Sequence, residues 1–106
     1  MKVSITRSPK SEEDAYETYR YIALDSVEAA EAYFEALFDT FDKLLEYPNM
    51  GVLIEEAKGE LQGLRLIRVS SKFRKHLVFY LPKENSIHVV RILHSSRDVE
   101  LLFVAE

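Results

Sequence analysis

The hydrophobic period of this chain changes once, near Gly63, and that change restricts the fold more than any other feature. Before it, apolar residues recur at helical spacing. Ala15, Tyr19, Ile22 and Ala23 form one stripe, and Ala30, Tyr33, Phe34, Leu37, Phe38, Phe41, Leu44 and Leu45 form a broader one. A stripe of this kind buries one side of an α-helix. After Gly63, short runs rich in Ile, Val, Leu and Phe take over, at residues 64–69, 76–81 and 87–93. Runs of that length and composition read as strands. A further short strand is predicted over residues 2–7, where Val3 and Ile5 alternate with polar neighbours. Helices and strands thus fall in separate blocks, the pattern of an α+β domain rather than a parallel α/β one.

The punctuation between these segments is equally readable. Ser8-Pro9 predicts a helix start, with serine as cap, proline in the first turn, and Glu12 and Glu13 near the positive end of the dipole. Ser26 can cap the second helix, and Pro48 stops it near Tyr47. So short a connection between two amphipathic helices implies an antiparallel helix hairpin. Residues 48–51 read as a turn, residues 52–62 fit no single period with Glu55, Glu56, Lys58, Gly59 and Glu60 reading as an exposed loop, residues 70–75 read as a basic connection and residues 82–86 as a hairpin turn. Val99, Leu102 and Phe103 suggest a short C-terminal helical tail. The expected architecture is an N-terminal strand, an antiparallel helix hairpin and a three-stranded antiparallel meander, with the helix pair on one face.

With 106 residues the chain is expected to form one domain, residues 1–106, and 47% hydrophobic content is enough to give it a core. It has no cysteine, which removes disulfides and thiolate metal sites. No His-x-x-x-His, Glu-x-x-His or carboxylate pair has ligand spacing, and no glycine-rich phosphate loop is present, so no metal and no cofactor are expected. No apolar run reaches membrane-spanning length and the N-terminus lacks the apolar core of a signal peptide. A cytoplasmic location is the default expectation. Charge is uneven. Residues 1–62 carry six cations against fourteen acids, and residues 63–106 carry eight against four. Two surfaces of opposite sign are one reading of this, and an ordinary solvated helical face beside a strand-rich half is the other.

The residues most suited to chemistry lie in the second half. Arg65, Arg91 and Arg97 carry rigid forks that fit phosphates and carboxylates. Arg65 can serve a ligand or an ion pair with Asp98 or a helix glutamate. Arg91 sits inside an apolar strand, where an unpaired charge is costly, so a buried pair that orders the tail is expected for it. Arg97, just past the strand, is the better candidate for outward contact. His94 at the same end can shuttle a proton or simply hydrogen-bond. His76 and His88 show no partners at metal or catalytic spacing. The aromatic residues of the helices, Tyr19 and Tyr33 among them, are core on periodicity alone, and any left exposed would line a groove for a partner.

Four segments in order carry a family resemblance: Tyr21-Ile22-Ala23 with Ser26 and Ala29-Ala30, Pro48-Asn49-Met50-Gly51, Gly63-Leu64-Arg65, and Leu77-Val78-Phe79-Tyr80 followed by the run from Arg91 to Asp98. Together they resemble the RelE/ParE superfamily of toxins from type II toxin–antitoxin systems, on the ParE side. The resemblance implies the same compact fold, a cognate ParD-like antitoxin in a hetero-oligomer, and an antitoxin segment folding onto the toxin surface. For binding of target or antitoxin it points to Arg65, Arg91, Arg97, Tyr19 and Tyr33, with His94 and Arg97 the only candidates for catalysis. RelE-like members cut mRNA in the ribosome with several basic groups and often a C-terminal tyrosine. ParE-like members lack that set and poison DNA gyrase. Here a basic position of the RelE pattern falls on Leu77, and the tyrosine position falls on Phe103, which has no hydroxyl to exchange a proton. A gyrase-binding toxin is therefore expected. The alternatives are a ribosome-dependent ribonuclease, with His94 as acid–base group, and a degenerate member that only binds its antitoxin.

Overall fold

The structure, a computed structural model, describes residues 4–95, the side chain of Ser71 excepted. Strand β1 (Ser4–Arg7) leads into helix α1 (Pro9–Ala23) through Ser8. Ser8 is the predicted cap, its hydroxyl accepting from the Ser11 amide at 3.0 Å with Pro9 in the first turn. Ser26 caps α2 (Val27–Glu46) in the same way, accepting from the Ala29 amide at 3.1 Å. Tyr47 closes α2 just before Pro48, as expected. The two helices pack against each other as a hairpin.

Strands β2 (Val52–Leu53), β3 (Arg65–Arg68), β4 (His76–Pro82) and β5 (Ser86–His94) complete one sheet in the order β1-β5-β4-β3-β2. β1 runs parallel to β5, and all other neighbours are antiparallel. The expected meander is β3 to β5. The sheet has one strand more than expected, because Val52 and Leu53 pair with Leu66 and Arg65 at its edge. Two residues are too short to display a strand period, so the segment reads as loop from sequence.

Both faces of the sheet are covered. Alternation along β4 sends Val78 and Tyr80 to one side, where they meet Tyr33, Leu37, Phe41 and Leu44 of α2. Leu77, Phe79 and Leu81 go to the other side, with Leu93, Leu64 and Ala57, and Ile54 and Leu61 pack on them. The acidic segment after β2, expected to be an exposed loop, thus turns its few apolar residues inward to close the second face. β4 is buried on both sides, which explains its nearly continuous apolar sequence.

A bulge interrupts β5. Tyr80 faces Val89 but Phe79 faces Arg91, so Val90 is the extra residue. Val89 and Ile92, three positions apart, consequently share the helix-side core, while Leu93 and Val90 belong to the other cluster. The C-terminal helical tail and the first residues of the N-terminal strand, both expected from sequence, lie outside the described residues.

Candidate functional site

The bulge decides where Arg91 goes. β1 accompanies β5 only as far as Val89, and beyond that point α1 covers the edge. The Ser8 hydroxyl donates to the Val90 carbonyl at 2.7 Å. Asp14 then accepts three hydrogen bonds: from Arg91 Nε at 2.8 Å, from Arg91 Nη2 at 3.1 Å and from the Ile92 amide at 3.0 Å. The two side chains are only 18% and 10% exposed. This is the two-pronged guanidinium–carboxylate geometry, and it fastens α1 to the last strand. Arg91 has the buried pair its position demanded, with a helix carboxylate as partner.

Arg65 is also engaged inside the molecule. Its Nη1 donates to the carbonyls of Asn49 at 3.1 Å and Gly51 at 2.7 Å. Backbone oxygens take the place of the acidic partner considered from sequence. Tyr80 completes the same turn, donating to the Pro48 carbonyl at 2.8 Å and accepting from the Gly51 amide at 2.9 Å. Burial pushes the Tyr80 phenol up, opposed by the Gly51 hydrogen bond and the nearby Arg65 charge. Gly51 is obligatory here, since a Cβ would lie 2.6 Å from the Tyr80 hydroxyl and 2.8 Å from the Leu66 carbonyl.

The aromatic residues separate into two groups. Tyr33 is 0% exposed and belongs to the core, which corrects its expected place on a binding surface. Among the described residues its hydroxyl has no hydrogen-bond partner; Thr18 lies close enough to act on it without completing the bond. Burial raises the phenol from 10.0 to about 12, with Thr18 pulling it down and Asp14 pushing it up. Tyr19 is half-buried and stacks on Phe34 at 4.5 Å. Tyr16 meets the same ring edge-on at 5.7 Å and Phe38 continues the ladder at 5.9 Å. Tyr16 and Phe38 are exposed, so this ladder, not Tyr33, forms the aromatic surface of the hairpin.

His94 stands directly opposite His76 in the β4–β5 register, with the rings perpendicular at 5.1 Å. His76 in turn packs on Tyr33 at 5.1 Å. The two imidazoles line a pocket of about 290 Å³ with Thr18, Tyr21 and Ile22 of α1. From sequence, His76 had no partner. A plain hairpin count outward from Pro82 and Ile87 sets His76 against Leu93, and the extra residue of the bulge moves His94 into that place. His88 instead meets Thr6, Oγ1 to Nδ1 at 2.7 Å. Arg97 lies outside the described residues, and so does Phe103. Among the described residues no three His, Cys, Asp or Glu side chains stand together as metal ligands, and no helix is long and apolar enough to cross a membrane.

An N-terminal strand paired in parallel with the last strand of a meander, and a helix hairpin laid across one face, define the RelE/ParE class of toxin folds. Solved structures bear this out. The chromosomal ParDE toxin–antitoxin system from P. aeruginosa aligns with a TM-score of 0.66 and 19% identity, over 87% of this chain and 95% of that one. The YoeB–YefM complex from Staphylococcus aureus aligns with a TM-score of 0.54 and 19% identity, over 89% and 98%. The YoeB/ParE toxin from Agrobacterium tumefaciens gives 0.51 and 16%, over the same shares of 89% and 98%. No curated protein sequence matches. The sequence profile of the ParE toxin of type II toxin–antitoxin systems, parDE, matches residues 5–99, and the chain belongs to that family.

Proposed function

We propose that this ParE-type toxin acts by binding DNA gyrase, and that a cognate ParD-like antitoxin holds it inactive in a cytoplasmic hetero-oligomer. The observation that carries this reading is the engagement of Arg65. An RNA-cleaving site needs guanidinium groups aimed at the scissile phosphate. Arg65 gives its Nη1 to the Asn49 and Gly51 carbonyls. Leu77, where the RelE pattern has a basic group, is 5% exposed and packed with Leu93 and Phe79. The surface left for function suits binding better than phosphoryl transfer. The ladder of Tyr16, Tyr19, Phe34 and Phe38 offers an amphipathic antitoxin segment an aromatic face, and Arg97 past the sheet is the fork we assign to target contact.

Purified toxin, free of antitoxin, tests the proposal in two parallel assays. Gyrase supercoiling should be inhibited, with cleaved DNA–gyrase complexes accumulating, while mRNA in a translating extract stays intact by primer extension. Among the described residues, the juxtaposition of His76 and His94 favours a ribonuclease. Codon-positioned cuts that vanish in His94→Ala would establish that second reading and overturn the first.

A further inference from the structure

We propose that the outer edge of β2 is a self-association surface, where two copies of this chain join as antiparallel strands across a two-fold axis. β2 ends the sheet order β1-β5-β4-β3-β2, so among the described residues nothing pairs with its outer side. The Ile54 amide donates to the Leu64 carbonyl, just before β3, at 2.9 Å. Backbone groups alternate sides along a strand, so the N–H and C=O of Leu53 point away from β3. Edge strands are ordinarily guarded by lysine, proline, inward charge or shortness. Met50, Gly51, Val52, Leu53 and Ile54 include no charge and no proline, which leaves shortness as the guard.

The side chains around this edge are apolar and open to water. Tyr47, Met50, Val52 and Leu53 are four of the nine large exposed apolar residues among the described ones, and they fall within seven consecutive positions. Val52 shares a face with Leu66, and Leu53 shares the opposite face with Arg65, so the strand is apolar on both sides. The segment is also fixed in place. Arg65 and the Tyr80 hydroxyl hold the preceding turn through the carbonyls of Pro48, Asn49 and Gly51 and through the Gly51 amide. An edge ordered in advance loses little freedom when a partner docks.

The charge pattern selects a second copy as the occupant. With Leu53 set against Leu53 of the second copy, the two residues exchange both backbone hydrogen bonds at the axis. Counting outward, Val52 meets Ile54, Glu55 meets Gly51 and Glu56 meets Met50. Glu55 and Glu56 are exposed and form no ion pair among the described residues, and in this register they face neutral positions rather than each other. The edge is thus its own complement, as a two-fold interface requires. The patch is smaller than the roughly 20–30 residues a side of a standard interface, so the dimer is weak, with a dissociation constant on the order of 10–100 µM.

The chain has no cysteine, so a single introduced thiol reports the geometry. Leu53→Cys should oxidise to a covalent dimer, because directly paired residues hold their Cα atoms about 5.5 Å apart, within disulfide reach. Leu24→Cys, on the helix connection and 87% exposed, should stay monomeric under the same oxidant. Analytical ultracentrifugation of the antitoxin-free chain, from about 5 to 500 µM, should show monomer passing to dimer and no larger species, since a two-fold contact closes on itself. Leu53 is 45% exposed, so Leu53→Lys keeps the fold, as circular dichroism will show. It sets like charges face to face and should weaken the dimer at least about tenfold. Sodium sulfate should tighten the wild-type dimer, as it does any apolar contact. The proposal is overturned if the wild type stays monomeric over that range, if Leu53→Lys dimerises like the wild type, if sulfate dissolves the dimer, or if Leu24→Cys cross-links as readily as Leu53→Cys. Neither gyrase nor antitoxin is present in these measurements, so their failure leaves the gyrase reading standing.

Discussion

Replacing Asp14 with alanine should cost this protein more stability than its position on a solvent-facing helix suggests. The carboxylate accepts two hydrogen bonds from Arg91 and one from the Ile92 amide. Removing one partner of a buried ion pair costs roughly 3–5 kcal/mol, because the other charge loses its closest counter-charge. Arg91 keeps 18% of its side chain in water, which favours the lower end of that range. The orphaned Ile92 N–H adds about 1 kcal/mol. A loss of roughly 3–4 kcal/mol compares with a total of about 5–15 kcal/mol for an ordinary domain. Urea unfolding followed by circular dichroism reads it directly. With a slope of about 1–3 kcal/mol per molar, the midpoint should fall by at least 1 M. The double variant Asp14→Leu, Arg91→Met should recover most of the loss, since a well-packed apolar pair often replaces a buried ion pair at little cost. A midpoint for Asp14→Ala within about 0.3 M of wild type, against the drop expected from that slope, would refute the view that this pair fastens α1 to β5. A double variant as unstable as the sum of the two single ones would refute the charge-burial account of the cost.

Gly51→Ala should destabilise by about 1–3 kcal/mol through its clash with the Tyr80 ring and the Leu66 carbonyl, seen as a lower thermal midpoint. Tyr33 is held at about 12 against 10.0 in the unfolded chain, so its contribution is full below pH 10 and is lost as pH rises through about 12. About 2–3 kcal/mol should disappear over that window, and Tyr33→Phe should flatten the decline with little destabilisation at neutral pH, because among the described residues the buried hydroxyl completes no hydrogen bond. Arg97→Ala should weaken toxicity more than His94→Ala in growth-arrest assays at matched levels of folded protein, and equal toxicity of Arg97→Ala and wild type would remove Arg97 from the proposed contact.

What the sequence determined by itself is local. Ser8 and Ser26 announce their helices because a cap acts on an amide three residues away, and the Ser11 and Ala29 amides donate the two bonds to them. The stripes of α1 and α2 and the runs of β3, β4 and β5 are legible for the same reason, since each period repeats within a few residues. The place of Arg91 in an apolar strand even required a partner. The partner's identity was beyond local reading, because Asp14 lies seventy-seven positions away and meets Arg91 only where β1 ends and α1 takes over the sheet edge. β2 was hidden because two residues carry no period, and the inward turn of Ala57 was hidden among the charges around it. The site depended most on tertiary structure. One extra residue in β5 exchanges Leu93 for His94 opposite His76, and packing of α2 removes Tyr33 from the surface while leaving Tyr19 half exposed. A one-residue shift changes every pairing beyond it yet leaves composition and hydrophobic pattern untouched, so only the assembled sheet brings the histidines together.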